Sequence, residues 1–142
     1  MSLRTRQIDP LGRLDLFADC TPAEIAEARR QLTLLTVDAG TVLMHQGGFG
    51  MEFLIIAEGD ATVSIGDRVV ATLGRGDFVG EMSLLHREPR SATVRATTPL
   101  TFYVANAAEF AALLDAVPSV RERIVRTSEE REERNRRTAL AA

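Results

Sequence analysis

Three textures follow one another along the chain. From Leu11 to Leu35 apolar residues recur at helical spacing, from Thr36 to about Ala105 short β-rich runs alternate with glycine-marked turns, and from Asn106 the helical period returns. In the first stretch Thr21-Pro22-Ala23-Glu24 puts Thr at the N-cap, Pro at N1 and Glu at N3, a capping box that opens a helix. Ile25, Ala28, Leu32 and Leu35 fall on one face of it, so the segment is expected to pack against something. Ahead of it, Leu11, Leu14, Leu16 and Phe17 form a short helical lead-in.

The middle stretch carries turn signals at Ala39-Gly40, Gly47-Gly48, Gly59-Asp60, Gly66-Asp67 and Gly74-Arg75-Gly76-Asp77, a frequency that predicts an all-β barrel or sandwich. Ala61–Ile65 and Arg68–Leu73 flank Gly66-Asp67, which suits a two-residue hairpin turn with Gly first. One interruption stands inside the β region. Gly80–Leu85 lacks strand alternation and reads as a single helical turn, stopped by Pro89 before a strand over Ser91–Ala96. After Asn106, an N-cap, Phe110, Leu113 and Leu114 mark an amphipathic helix ending near Pro118. A second helix from Ser119 to about Arg137 is apolar only at Val120, Ile124 and Val125. Glu122/Arg126, Glu130/Arg134, Glu132/Arg136 and Glu133/Arg137 are i,i+4 pairs in the favourable orientation, each worth about 0.2–0.5 kcal/mol, so this helix is expected to stand in water. The expected division is a domain over residues 1–118 and a charged C-terminal helix and tail over 119–142.

Composition narrows the function classes. A chain of 142 residues, 45% hydrophobic and 26% charged, can bury a core as one globular domain, and a net charge of −3 argues against nonspecific nucleic-acid binding. No apolar run exceeds that of Phe53–Ala57, which is far short of the roughly 20 residues of a membrane helix, and no apolar stretch follows Arg4 and Arg6 as a secretory signal would require. A cytoplasmic location without membrane contact is expected. Cys20 is the one cysteine and builds neither an internal disulfide nor a cysteine zinc site. His45, near a strand end, and His86, on an exposed tip, are the two histidines, and a cupin-like metal site needs a cluster of about three ligands. No nucleophile is paired with a base, so neither catalysis nor a metal is expected.

The informative segment runs from Gly76 to Val94. A short helix opening on Gly80 offers free backbone N–H groups suited to a phosphate, and Gly80 lets a ligand approach the backbone. Nine residues after Glu81 comes Arg90, a planar fork able to bind two phosphate oxygens, followed by Ser91 with a hydroxyl and Ala92 with almost no side chain. Glu81 would repel a phosphate unless it binds a donor elsewhere on the ligand, and a ribose 2′-hydroxyl is such a donor. Together these residues suggest a ribose phosphate whose base lies against the barrel wall.

Gly80-Glu81 followed by Pro89-Arg90-Ser91-Ala92-Thr93-Val94 resembles the phosphate-binding cassette of the cyclic-nucleotide-binding domains found in the catabolite activator and in protein kinase regulatory subunits. The similarity extends to Ala39-Gly40, His45-Gln46-Gly47, Phe53–Gly59 and Gly76-Asp77-Phe78, covering roughly Leu11 to Pro118. It implies a mainly β fold, an eight-stranded jelly roll (double-stranded β-helix) flanked by helices, with cyclic AMP or cyclic GMP as ligand and no cofactor. By the same resemblance Glu81 accepts the ribose hydroxyl, Gly80 and Met82 offer backbone contacts, and Arg90, Ser91 and Ala92 hold the cyclic phosphate. Val63, Val70, Leu73 and Val79 take the places of apolar residues near sugar and base.

Two departures from the family shape the expected output. Its transcription factors carry a helix-turn-helix module after the long helix. This sequence shows none before Ala142, so direct DNA binding is not expected and an effector protein is. In the activator the long helix dimerises and places a Thr-Ser pair on the base. Thr127-Ser128 come about two turns too early for that role, which falls instead to Asn135, as a hydrogen-bond partner of the base, and to Arg136, stacked on it. From Arg126 to Thr138 no apolar seam remains for an activator-type coiled coil, which leaves a homodimer open but unsupported and points to a lid that docks on ligand binding. The expected protein is a receptor, not an enzyme, that binds cyclic AMP in preference to cyclic GMP. A ligand-free scaffold of the same fold is the alternative.

Overall fold

The computed structural model describes residues 11–141. Eight strands form two four-stranded antiparallel sheets. One has the order β1 (Thr33–Val37), β8 (Leu100–Asn106), β3 (Glu52–Glu58), β6 (Phe78–Val79), and the other β2 (Val42–Met44), β7 (Thr93–Ala96), β4 (Ala61–Ile65), β5 (Arg68–Leu73). The chain passes repeatedly from one sheet to the other, and only β4 and β5 are sequence neighbours within a sheet. This is the jelly roll expected, with helices α1 (Pro22–Arg30), α2 (Glu81–His86), α3 (Ala107–Ala116) and α4 (Pro118–Ala141) around it.

Two apolar clusters hold it together. Leu54 and Ile56 point between the sheets onto Val79, Val94, Leu100 and Phe102. Phe53 and Ile55, on the opposite face of β3, meet Leu11, Phe17, Phe110, Leu113, Val117, Val120 and Ile124 beneath the helices. A strand buried on both faces needs apolar residues at successive positions, which is why Phe53–Ala57 reads as an unbroken run. The hairpin follows the sequence: Ile65 pairs with Arg68 around Gly66, whose φ is +60°. Both caps form as capping boxes, Thr21 with Glu24 and Asn106 with Glu109.

Some boundaries differ from expectation. The first helix ends at Arg30, and Leu35 lies on β1, half exposed at the sheet edge, because Thr33, Thr36 and Val37 favour strand over another helical turn. The cassette strand begins at Thr93, not Ser91, and α2 stops at Arg87 in the left-handed region (φ +54°), before Pro89 is reached. On α4, Glu133 pairs with Arg137 as expected, but Arg136 also turns to Glu133, while Glu132 is engaged by His86.

Candidate functional site

A cavity of about 570 Å³ opens between the β4–β5 hairpin, the turn from β6 into α2, residues 90–94 and α4. All ten cavity residues expected from the sequence whose side chains are described line it: Gly80, Glu81 and Met82 at the α2 entry, Arg90, Ser91 and Ala92 across from them, and Val63, Val70, Leu73 and Val79 as apolar wall. The side chain of Asn135 lies outside the described residues. Met44 of β2, Val94 of β7, Ile65, Arg68, Val69 and Ala71 of the hairpin, Ser83 of α2, and Arg131 and Arg134 of α4 complete the lining and lie outside the expected set.

The entry to α2 is built around Gly80. Its φ of +96° lies in the left-handed region, and a Cβ there would collide with the Glu52 carbonyl oxygen while crowding the Arg90 guanidinium. Gly80→Ala should therefore cost at least about 2 kcal/mol, read as a lowered denaturation midpoint.

The same carbonyls position Arg90. Its guanidinium donates to Gly80 O at 3.1 Å and to Glu52 O at 2.7 Å, and its backbone exchanges two bonds of 2.8 Å with Gly47 and Gly48. Gly50 packs so closely on the guanidinium that a Cβ would strike it. The residue is buried, its Nε has no hydrogen-bond partner, and its two hydrogen-bond acceptors are neutral carbonyls. Burial lowers its pKa, against the opposing pull of Glu52 and Glu81. A cation fixed in this way, with donors to spare on the cavity wall, suits an anion such as a phosphate.

Glu81 is fully buried, and both its oxygens accept from one nitrogen of Arg131, at 2.6 and 2.8 Å. The other terminal nitrogen of Arg131 donates to Phe78 O at 2.8 Å, and the guanidinium lies 5.1 Å from the Phe78 ring centroid. Burial raises the Glu81 pKa above its ordinary value, and Arg131 opposes that rise. A carboxylate has about four lone-pair sites, so Glu81 can bind Arg131 and still accept a hydroxyl.

Arg131 was hidden because everything beyond Val125 reads as a solvated face. Yet Val117, Val120, Ile124, Ser128 and Arg131 continue one stripe at helical spacing, apolar at first and polar at the end. Val120, Ile124 and Ser128 are buried, so α4 is docked along its first half. His86 is not on a free tip. Its Nε2 lies 3.1 Å from Ser128 Oγ and 2.9 Å from Glu132 Oε1, because α2 runs against α4. Among the described residues no helix is long and apolar enough to cross a membrane.

The family model of the cyclic nucleotide-binding domain matches residues 34–117. The chain is 38% identical over 121 residues to a cyclic nucleotide-gated potassium channel of Rhizobium etli, covering 85% of this chain and 34% of the channel. It is 44% identical over 85 residues to the cAMP-dependent protein kinase regulatory subunit of Mycosarcoma maydis, covering 57% of this chain and 16% of that protein. It thus spans about a third or less of the length of these relatives. Among solved structures, PKAR CBD2 with Sp-2Cl-cAMPS bound superposes with a TM-score of 0.75 at 26% identity, over 86% of this chain and 84% of that one. The catabolite activator protein of Thermus thermophilus superposes with a TM-score of 0.76 at 25% identity, over 89% and 61%.

Proposed function

This chain belongs to the cyclic nucleotide-binding domain family, and we propose that its cavity binds a cyclic purine mononucleotide, cyclic AMP in preference to cyclic GMP. The observation that carries the reading is the pairing of Arg90 and Glu81 on one cavity wall. The buried cation is held by neutral carbonyls and so keeps its charge for a phosphate, while the buried carboxylate is neutralised by Arg131 and keeps lone pairs for a ribose hydroxyl. Gly80 and Met82 contribute backbone contacts, Ser91 and Ala92 the remainder of the phosphate cradle, and Val63, Val70, Leu73 and Val79 the apolar wall. Cyclic AMP is favoured by the relatives and solved structures named for it.

The output we propose is a shift of α4. Because Arg131 reaches the carboxylate assigned to the ribose, nucleotide binding and the docking of α4 share one contact and are coupled, each by the same free energy. A cytoplasmic effector protein reads that shift. In this reading the domain itself performs no catalysis and touches neither DNA nor membrane.

Titration calorimetry with cyclic AMP, cyclic GMP and 5′-AMP tests the proposal. Saturable binding near one cyclic nucleotide per chain, with 5′-AMP much weaker, is the expected result. Dilution heats alone from all three, with no ligand-induced rise in melting temperature, would leave a scaffold that presents α4 to a protein.

A further inference from the structure

We propose that His86, which lies outside the cavity, is a positioning residue for the nucleotide site: through Ser128 and Glu132 it sets the register of α4 so that Arg131 meets Glu81. The inference rests on the receptor reading and adds to it a second point of control.

The geometry is that of a short helix pinned at both ends. Glu81 is the first residue of α2 and His86 the last, and the backbone turns away at Arg87 in the left-handed region, so the end of α2 is fixed at His86. From Glu81 the contact runs to Arg131, and from His86 to Ser128 and Glu132. On α4 these three residues are i, i+3 and i+4, neighbours on one face. Beyond its docked first half, α4 would otherwise be held against the cassette by the Arg131 guanidinium alone, and could shift about it. The second contact removes that freedom.

The chemistry defines the tautomer. One atom, Nε2, faces both a carboxylate oxygen and a hydroxyl oxygen, so Nε2 carries the proton and donates it between them. Ser128 is 1% exposed, and with its hydroxyl withdrawn from water His86 Nε2 supplies the side-chain partner it needs. The His86 and Glu132 side chains remain 35% and 40% exposed, so the latch is weak enough to open. A contact of this strength suits a device that must hold one register and release it.

The test compares wild type with His86→Leu and His86→Gln, reading cyclic AMP affinity by calorimetry and amide hydrogen exchange over residues 128–134 without nucleotide. Leu keeps the bulk and removes the donor. It is expected to weaken cyclic AMP binding about fivefold and to speed exchange on that turn of α4 by a similar factor. Gln restores an N–H donor at nearly the same reach and should recover most of both. Unchanged affinity and exchange in His86→Leu would overturn the proposal, as would equal effects from Leu and Gln, which would reduce His86 to packing. Failure of the receptor reading has a different signature, no binding heat from the wild type, whereas failure of the latch shows as unchanged exchange in His86→Leu.

Discussion

Arg90→Ala should bind cyclic AMP at least about thirtyfold more weakly than the wild-type chain. The expected loss, about 2–5 kcal/mol, is that of removing one partner of a buried charge pair, because the cyclic phosphate would be left in the cavity without its cation. The position of Arg90 makes the effect specific. Two carbonyls and the flat surface of Gly50 fix the guanidinium before any ligand arrives, so no ordering cost is charged to binding. The same two hydrogen bonds mean that the Ala protein also loses stability, so calorimetry must be paired with a melting curve showing a folded chain. Arg90→Lys separates charge from shape. Lys keeps the positive charge but cannot span Gly80 O and Glu52 O as a fork, and its affinity should fall between wild type and Ala. Binding unaltered in a folded Arg90→Ala protein would remove the phosphate from this site.

How far the sequence carries this site depends on whether a residue acts through its neighbours in the chain. The hairpin around Gly66, the caps at Thr21 and Asn106 and the cassette from Gly80 to Ala92 are local, so spacing marks them, while Met82 and the apolar wall of Val63, Val70, Leu73 and Val79 follow from the family resemblance; all ten described residues expected in the cavity line it. Arg131 is not local to anything it touches. Its partners Glu81 and Phe78 lie some fifty residues away, and its Glu and Arg neighbours disguise the one face of α4 that continues the apolar stripe. The stripe was legible as a period. What was missing was the reason for a polar residue to continue it, a buried carboxylate waiting on another element. Leu35 failed in the opposite direction: its helical spacing from Leu32 and Ala28 is a coincidence overruled by pairing with Phe102 on β8. Periodicity names a face, and only the fold says what meets it.

Breaking the Glu81–Arg131 pair from the arginine side should cost as much stability as truncating a buried core side chain. Arg131→Met keeps the apolar stem and leaves a fully buried carboxylate without its cation, and the expected cost at neutral pH is about 3 kcal/mol, seen as a lower urea midpoint and faster exchange along α4. The dependence on pH identifies the cause. Burial, the largest influence on Glu81, raises its pKa in the folded protein, so between the ordinary value of 4.5 and that raised value the native chain holds more protons than the unfolded one. The group's contribution to stability is then full in acid and declines as pH rises through that window. Without Arg131, the leading influence pulling the pKa down is gone, the window widens upward, and the gap between Arg131→Met and wild type should grow from pH 5 to pH 8. Adding Glu81→Gln removes the charge that needed a partner. The double variant should recover much of the lost stability, because taking away both members of a buried pair costs less than orphaning one, and its gap to Glu81→Gln alone should no longer change with pH. A gap in Arg131→Met that stays constant across this pH range would mean that the arginine stabilises α4 by packing on Phe78, and that the cassette and the helix are not joined through charge.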